Sequence, residues 1–142
     1  MSAVIINIAD TLAERLNSES FSIEFDAVRM YRPVFDLPEM KDLRVTVVPR
    51  SVEVVRLGRS PWQHDYTIDI AVQQAIGSDS DIDALMQLAE ELQDHFTGLS
   101  LAVNNELYPV LSVVIDPLFA PEHLSEMQLF TTVITVTFRT SR

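Results

Sequence analysis

The spacing of apolar residues changes several times along this chain, and these changes constrain its fold more than any other feature. In two segments, one near the N-terminus and one after residue 78, apolar residues recur every three or four positions. In most of the remaining chain they recur at every second position. The first spacing is that of an amphipathic helix, and the second is that of a strand with one buried face. The sequence therefore predicts two helices and a larger number of strands.

Both predicted helices have a continuous apolar stripe that should pack on a sheet. In the first, within MSAVIINIADTLAERL, the stripe consists of Val4, Ile5, Ile8, Leu12 and Leu16. In the second, within GSDSDIDALMQLAEELQDHFTG, it consists of Ile82, Leu85, Ala89, Leu92 and Phe96. Ser80 and Asp83 fit a capping box at the start of the second helix, and Gly98 fits the position just after its end.

Six segments are predicted to be strands. They are 21–26, 43–49, 51–58, the alternating run from Tyr66 to Gln73, LYPVLSVVIDPLF and MQLFTTVITVTFRT. Pro49 cannot donate a ladder hydrogen bond, so it is expected to end one strand and to leave 43–49 and 51–58 as a hairpin. Residues 59–62, Arg-Ser-Pro-Trp, are expected to be the turn before Tyr66, and RPVFDLPEMKD is expected to be a loop.

The order of these elements, α-β-β-β-β-α-β-β, predicts an α+β fold. A run of adjacent strands with two helices is expected to form an antiparallel or mixed sheet of about six strands, with both helices packed on it. A chain of 142 residues is long enough for one substantial core. No internal repeat, low-complexity tract or linker divides the sequence. We therefore expect a single domain over residues 1–142.

Composition excludes several classes of protein. The chain has no cysteine, which excludes a disulfide framework, a thiolate zinc site and a cysteine nucleophile. No apolar run approaches the roughly 20 residues needed to cross a bilayer. Asp10 interrupts the first apolar segment, which has no basic region before it. No secretory signal is therefore expected, and the expected setting is the cytoplasm.

The sequence offers little for catalysis. Three glycines in the whole chain cannot build a phosphate-binding loop. His64 stands beside Asp65, but neighbouring residues of a strand point to opposite faces, so these two are not expected to form a catalytic pair. The sequence predicts no enzyme, no catalytic residue and no cofactor.

Two patterns in the second helix resemble metal sites. Segment 79–90 begins with three acids at alternate positions, as a calcium loop does, but Ala84 stands where the sharp turn of such a loop needs glycine. Glu91 and His95 are four residues apart, and no further histidine lies near them in the sequence. An acid-rich helix start and a solvated side-chain pair account for both patterns, so no metal site is predicted.

The net charge of −11 is distributed unevenly. Residues 1–59 carry eight Lys/Arg and nine Asp/Glu, whereas residues 60–142 carry two and twelve. So acidic a chain is not suited to gripping nucleic acid, because phosphate contacts need dense Lys/Arg. The acids of the second helix form either a solubilising surface or a wall that repels DNA. They are Asp79, Asp81, Asp83, Glu90 and Asp94.

Six of the nine arginines lie between residues 29 and 59. Two interpretations remain open at this point. One is ordinary surface scatter; the other is a basic edge that meets the acidic part of a neighbouring subunit head to tail, an arrangement that closes into rings. Trp62, beside these arginines, is either a cap on the core or an anchor in an interface.

Three stretches together resemble a known family. They are RVTVVPRSVEVVRLGRS, with its valine-proline strand end, DYTIDIAVQQ, and the spaced LMQLAEELQDHF. With the short helix before them, they resemble the tail terminator proteins of long-tailed bacteriophages, also called tail completion or tail-to-head joining proteins. The resemblance covers most of the chain in order and length.

This resemblance implies an α+β subunit of a hexameric ring in the tail or neck of a virion, assembled in the host cytoplasm. Such a ring caps the tail tube, ends its polymerisation and gives the head connector or stopper protein a docking surface, while DNA passes through the lumen without specific binding and no membrane is involved. The predicted interface with a neighbouring subunit or the tube protein, around a hairpin at 48–56, comprises Arg44, Arg50, Val54, Arg56, Arg59 and Trp62. The five acids would line the lumen or an outer surface.

Two other functions stay open at this point. One is a tail tube or head–tail adaptor subunit, because tube subunits also have strand-rich cores with one helix. The other is a protein that binds a small ligand or a metal ion.

Overall fold

The structure of this chain, a computed structural model, describes residues 3–31, 42–56, 58–59, 61–116, 118, 122 and 129–141. Two helices and six strands lie within these ranges. They are α1 (Val4–Ser18), β1 (Ala27–Arg29), β2 (Arg44–Arg56), β3 (Trp62–Ala75), α2 (Asp79–Phe96), β4 (Ser100–Val103), β5 (Glu106–Ile115) and β6 (Leu129–Ser141). The predicted loop RPVFDLPEMKD lies almost entirely outside the described residues.

The six strands form one sheet in the order β1-β2-β3-β6-β5-β4. Only β1 and β2 are parallel, and the other four neighbouring pairs are antiparallel. The sheet is therefore mixed, and the predicted α+β class, with about six strands and two helices on them, is confirmed. In the described part of the chain, no helix is long and apolar enough to cross a membrane.

Both helices pack on the same face of the sheet and share one core with it. The buried residues of α1 are Ile8, Ala9, Leu12, Ala13 and Leu16, and those of α2 are Leu85, Leu88, Ala89, Leu92 and Phe96. Ile82, which the prediction included in the buried stripe of α2, is only half-buried. Leu88, which the prediction left out, is fully buried. Gly98 has φ 78° just after α2, as predicted. The predicted capping box is wrong, because α2 begins at Asp79 and places Ser80 inside its first turn.

The predicted hairpin of 43–49 and 51–58 is wrong. Residues 44–56 form the single strand β2, which pairs with β3 from Arg44↔Gln73 to Arg56↔Trp62. The register shifts between Pro49 and Ser51, which leaves Arg50 as the extra residue of a bulge. A proline at a bulge removes a ladder donor without ending the strand. The hairpin of this region is therefore β2 with β3.

Two further strand assignments differ from the prediction. Segment 21–26 has no ladder partner, and the strand begins only at Ala27. Its apolar residues nevertheless pack against the core, as their alternation indicated. The strand β4 was not predicted; it joins β5 through Asn104 and Asn105, whose φ angles are 50° and 69°. Asparagine tolerates this left-handed conformation, which a two-residue hairpin turn requires.

The segment before β1 is held against α2 by two side chains of that helix. The Ser22 N–H donates to a Glu91 carboxylate oxygen at 2.8 Å. The His95 ring lies edge-on to Phe21, with ring centroids 5.7 Å apart. Burial lowers the pKa of His95 below its ordinary value, and its Nε2 is buried with no hydrogen-bond partner. Glu91 and His95 thus fix this segment in place, a use that their spacing alone did not reveal.

We expect the stability that depends on His95 to fall as pH falls. Its pKa is lowered on folding, so the unfolded chain takes up the proton first and stability is lost as pH drops from 6.5 through the folded pKa. His95→Phe keeps an aromatic ring but cannot titrate. Relative to this variant, the wild type should lose melting temperature between about pH 7 and about pH 5. An equal difference at both pH values would contradict the prediction.

Candidate interaction surface

The outer end of the β2–β3 hairpin is largely exposed, and we call it the arm: residues 51–56 of β2, residues 58–59 between the strands, and residues 62–65 of β3. All six residues of its β2 part are exposed. The short strand β1 pairs only with Val45–Val47. Among the described residues, the outer edge of β2 beyond that point therefore has no partner strand. Strand β1 does have a partner for its backbone at Ala27: the Asn17 side chain accepts a hydrogen bond from the Ala27 N–H at 2.7 Å and donates one to the Ala27 carbonyl at 3.0 Å.

Three exposed apolar side chains form a strip on one face of the arm. Val52 lies opposite the buried Tyr66, and Val54 lies opposite His64. Trp62 follows at the end of the same face, since alternate residues of a strand share a face. Val52, Val54 and Trp62 are 48%, 47% and 45% exposed. The strip thus continues the helix-covered face of the sheet into solvent.

Two arginines, Arg56 and Arg59, lie at the outer end of this strip. The Arg56 guanidinium lies 5.7 Å from the centroid of the Trp62 ring, a cation–π contact. The same side chain donates to the backbone carbonyls of Gly58 and Arg59, at 2.5 and 3.4 Å. Arg59 itself is exposed. Trp62 is therefore no cap on the core: it stands half in solvent, with a cation fixed against it.

The structure brings together four of the six residues predicted for the interface. Val54, Arg56, Arg59 and Trp62 meet at the arm, but Arg44 lies at the opposite end of β2, about 40 Å away at about 3.3 Å per residue. Arg50, in the bulge, contacts Asp69 and Thr135, each at 3.5 Å, on the face opposite the apolar strip.

The other arginines of the sequence cluster do not add to the arm. Arg29 in β1 pairs with Asp10 of α1, and Arg32 lies outside the described residues. The described arginines of segment 29–59 are therefore spread along β1, β2 and the residues just after β2 rather than gathered in one patch, because a strand separates its residues by its own length.

All five acids named from the sequence lie exposed on α2. The Asp81 carboxylate accepts a hydrogen bond from the Gly77 N–H at 2.8 Å. Because residues 79–96 form one helix, the acids at alternate positions do not wrap around an ion as a loop would. In the part of the chain that the structure describes, no three acidic or histidine side chains are grouped as metal ligands would be.

A polar ladder on the face opposite the helices was missed from the sequence. Arg139 donates two hydrogen bonds to Asp65, at 2.8 and 2.9 Å, in a bidentate pair. Farther along, the Thr135 hydroxyl donates to Asp69 at 2.8 Å. The hydrogen bonds between Arg139 and Asp65 lower the pKa of Asp65 and raise that of Arg139. The partners are far apart in sequence, so only the β3–β6 register could have revealed them.

The same ladder shows how His64 and Asp65, the neighbours that resembled half a catalytic site, are oriented. Asp65 turns to Arg139, while His64 stacks on Tyr66 on the other face, with ring centroids 6.2 Å apart. The two neighbours point to opposite faces, as predicted.

A scan of protein-family models and a search of curated proteins found no match to this sequence.

We expect Asp65→Asn to destabilise the protein at neutral pH and to have little effect in acid. The folded pKa of Asp65 is lowered, so its contribution is present above the ordinary value of 3.8 and is lost as pH falls through the folded pKa. Thermal unfolding of both proteins between about pH 7 and about pH 2 measures this. Asp94→Asn, which removes an exposed carboxylate from α2, is the control and should stay close to the wild type throughout. A gap that persists at the lowest pH would contradict the assignment.

Proposed function

We propose that this chain is a structural subunit of a bacteriophage tail or neck that forms a closed ring of the tail-terminator kind. The ring, hexameric by the resemblance, caps the tail tube, ends its polymerisation and provides the surface on which the head connector docks. The observation that carries the proposal is the arm, which exposes a strand edge and an apolar strip beside Arg56 and Arg59.

An exposed arm of this kind favours an assembly protein. Open strand edges and contiguous apolar side chains promote association, and monomeric proteins usually cover or charge them. Here Val52, Val54 and Trp62 stand side by side next to an edge of β2 that has no partner strand among the described residues. Tryptophan and arginine are also the residues most enriched at the centres of protein interfaces. The arm is therefore a surface that another polypeptide would cover.

The acidic helix fits the passage of DNA through such a ring. Asp79, Asp81 and Asp94 are exposed along α2, and a like-charged wall repels phosphates rather than holding them. In this proposal the partners are further copies of the chain, the tail tube protein and the head connector or stopper protein. The location is the virion, after assembly in the host cytoplasm.

One observation also favours a tail tube or head–tail adaptor subunit. The open edge of β2 would serve a growing tube as well as a closed ring, since a head-to-tail contact that does not close yields a filament. The length of the assembly separates the two functions, because a tube subunit polymerises without limit.

A second observation favours a protein that binds a small ligand. An open hollow of about 870 Å³ lies between segment 19–26 and the start of β2. Binding there would raise the melting temperature in proportion to the logarithm of ligand concentration.

The first experiment is light scattering of the purified protein, alone and with tail tubes, with negative-stain images of the same fractions. We expect closed rings, formed either in solution or on the tubes. The double variant Arg56→Glu with Arg59→Glu should lower the ring fraction about tenfold or more, because like charges would then face each other across the contact. Arg15→Glu, on the exposed face of α1, is the matched reversal and should leave rings intact.

Three results would change the assignment. Long tubes would make the chain a tube subunit. A monomer that ignores tail tubes would exclude the proposed function. Rings that tolerate the double reversal would remove the arm from the contact.

A further inference from the structure

We infer that the arm of one copy docks into a groove on the next copy, between α2 and the end of β5; this inference rests on the proposed ring. We call this the α2–β5 groove. It is a shallow space of about 670 Å³ whose apolar lining is Met86, Ala89, Ile115 and Leu118, with Asp83 and Glu90 among its acidic residues. A surface that combines apolar side chains with two carboxylates along α2 is the chemical complement of the arm, which combines apolar side chains with two arginines.

The groove has an apolar side chain open to solvent. Leu118 is 43% exposed, whereas Ile115 is half-buried and packs against the core. Glu90 and Asp83 are exposed on α2. They are seven residues apart, which is two helical turns and about 10 Å along the axis. The acids therefore stand along the groove rather than at one point.

The arm has matching dimensions. From Val52 to Arg56 the strand advances four residues, about 13 Å at about 3.3 Å per residue. Over that length it carries Val52 and Val54, and at its end Arg56 lies opposite Trp62. The strip can thus lie on Met86 and Leu118 while Arg56 and Arg59 reach the acids of α2. Such a contact buries apolar surface and pairs opposite charges in one step.

An arm cannot reach the groove of its own chain. Ile115 pairs with Ile134, which pairs with Ile70 of β3. Ile70 is eight residues from Trp62, about 26 Å along the strand, and β5 lies three strands from β2, about 14 Å across the sheet. The contact must therefore join two copies through different surfaces, which is the heterologous geometry of rings and filaments.

The charge distribution identifies a second copy of this chain as the occupant. Residues 1–59 hold eight of the ten Lys/Arg, and residues 60–142 hold twelve of the 21 Asp/Glu with only two Lys/Arg. The arm takes its two arginines from the first part, and the groove takes its acids from the second. The chain therefore carries both halves of a complementary pair.

Disulfide cross-linking tests the contact directly, because the chain has no cysteine of its own. Val54→Cys and Leu118→Cys are made in separate chains, mixed and oxidised, in solution and on tail tubes. We expect a linked dimer from the mixture at least about tenfold more abundant than from either chain alone. Val54→Cys mixed with Leu107→Cys is the matched control, since Leu107 is also an exposed leucine but lies at the start of β5, far from the groove.

Charge exchange tests the same contact without cysteine. Arg56→Glu alone and Glu90→Arg alone should each reduce association about tenfold or more, and the chain with both changes should recover it. Recovery is expected because every contact in a heterologous ring would then pair the exchanged charges. Failure of the double variant to recover any association would overturn the pairing.

The outcomes separate this inference from the proposed function. Rings that form but give no link between positions 54 and 118 overturn the docking and leave the ring function intact. Linked chains that neither close nor bind tail tubes support the docking and overturn the ring function. Neither rings nor links overturn both.

Discussion

The pairing of β3 with β6 is the interaction on which the rest of the structure depends. Thirteen residue pairs join the two strands at the centre of the sheet. Their register sets Tyr66, Ile68 and Ile70 opposite Phe138, Val136 and Ile134, and all six are buried. The other face of the same ladder sets Asp65 opposite Arg139. A slip of one residue would send the apolar set to the polar face and break the ion pair, so both faces specify the same register.

The arm follows from this pairing. Because β6 pairs with β3 as far as Gln63↔Ser141, the start of β3 is held in the sheet beyond the point that the helices cover. Residues 52–56 of β2 pair with that start and are carried outward with it. The strip and the arginines are therefore presented by hydrogen-bonded strands rather than by a loop. A surface built on such a scaffold holds its side chains in a fixed geometry, which favours a specific contact over non-specific association.

The spacing of residues in the sequence predicted those features of the fold that depend on neighbouring residues. Both helices, the long alternating strands and Gly98 follow from spacing and backbone preference, and so does the polar-against-apolar alternation of His64 and Asp65. Pro49 misled because its missing donor was interpreted as a strand end, whereas the sheet accommodates it in a bulge. The arm residues lie together because a hairpin keeps sequence neighbours close. Arg44 and Arg50 lie apart from them, since an extended strand carries neighbours apart, and the Asp65–Arg139 pair needed a register that no local signal encodes.

The stiffness of the arm also bears on how an assembly would end. A head-to-tail contact closes into a ring only if each copy is rotated by a fixed fraction of a turn relative to the last, and otherwise it continues as a filament. A contact made by a flexible loop tolerates many rotations. A contact made by a strand pair inherits its angle from the twist of the sheet. If this chain assembles as proposed, the strands that form its core therefore also help to set the angle between neighbouring copies.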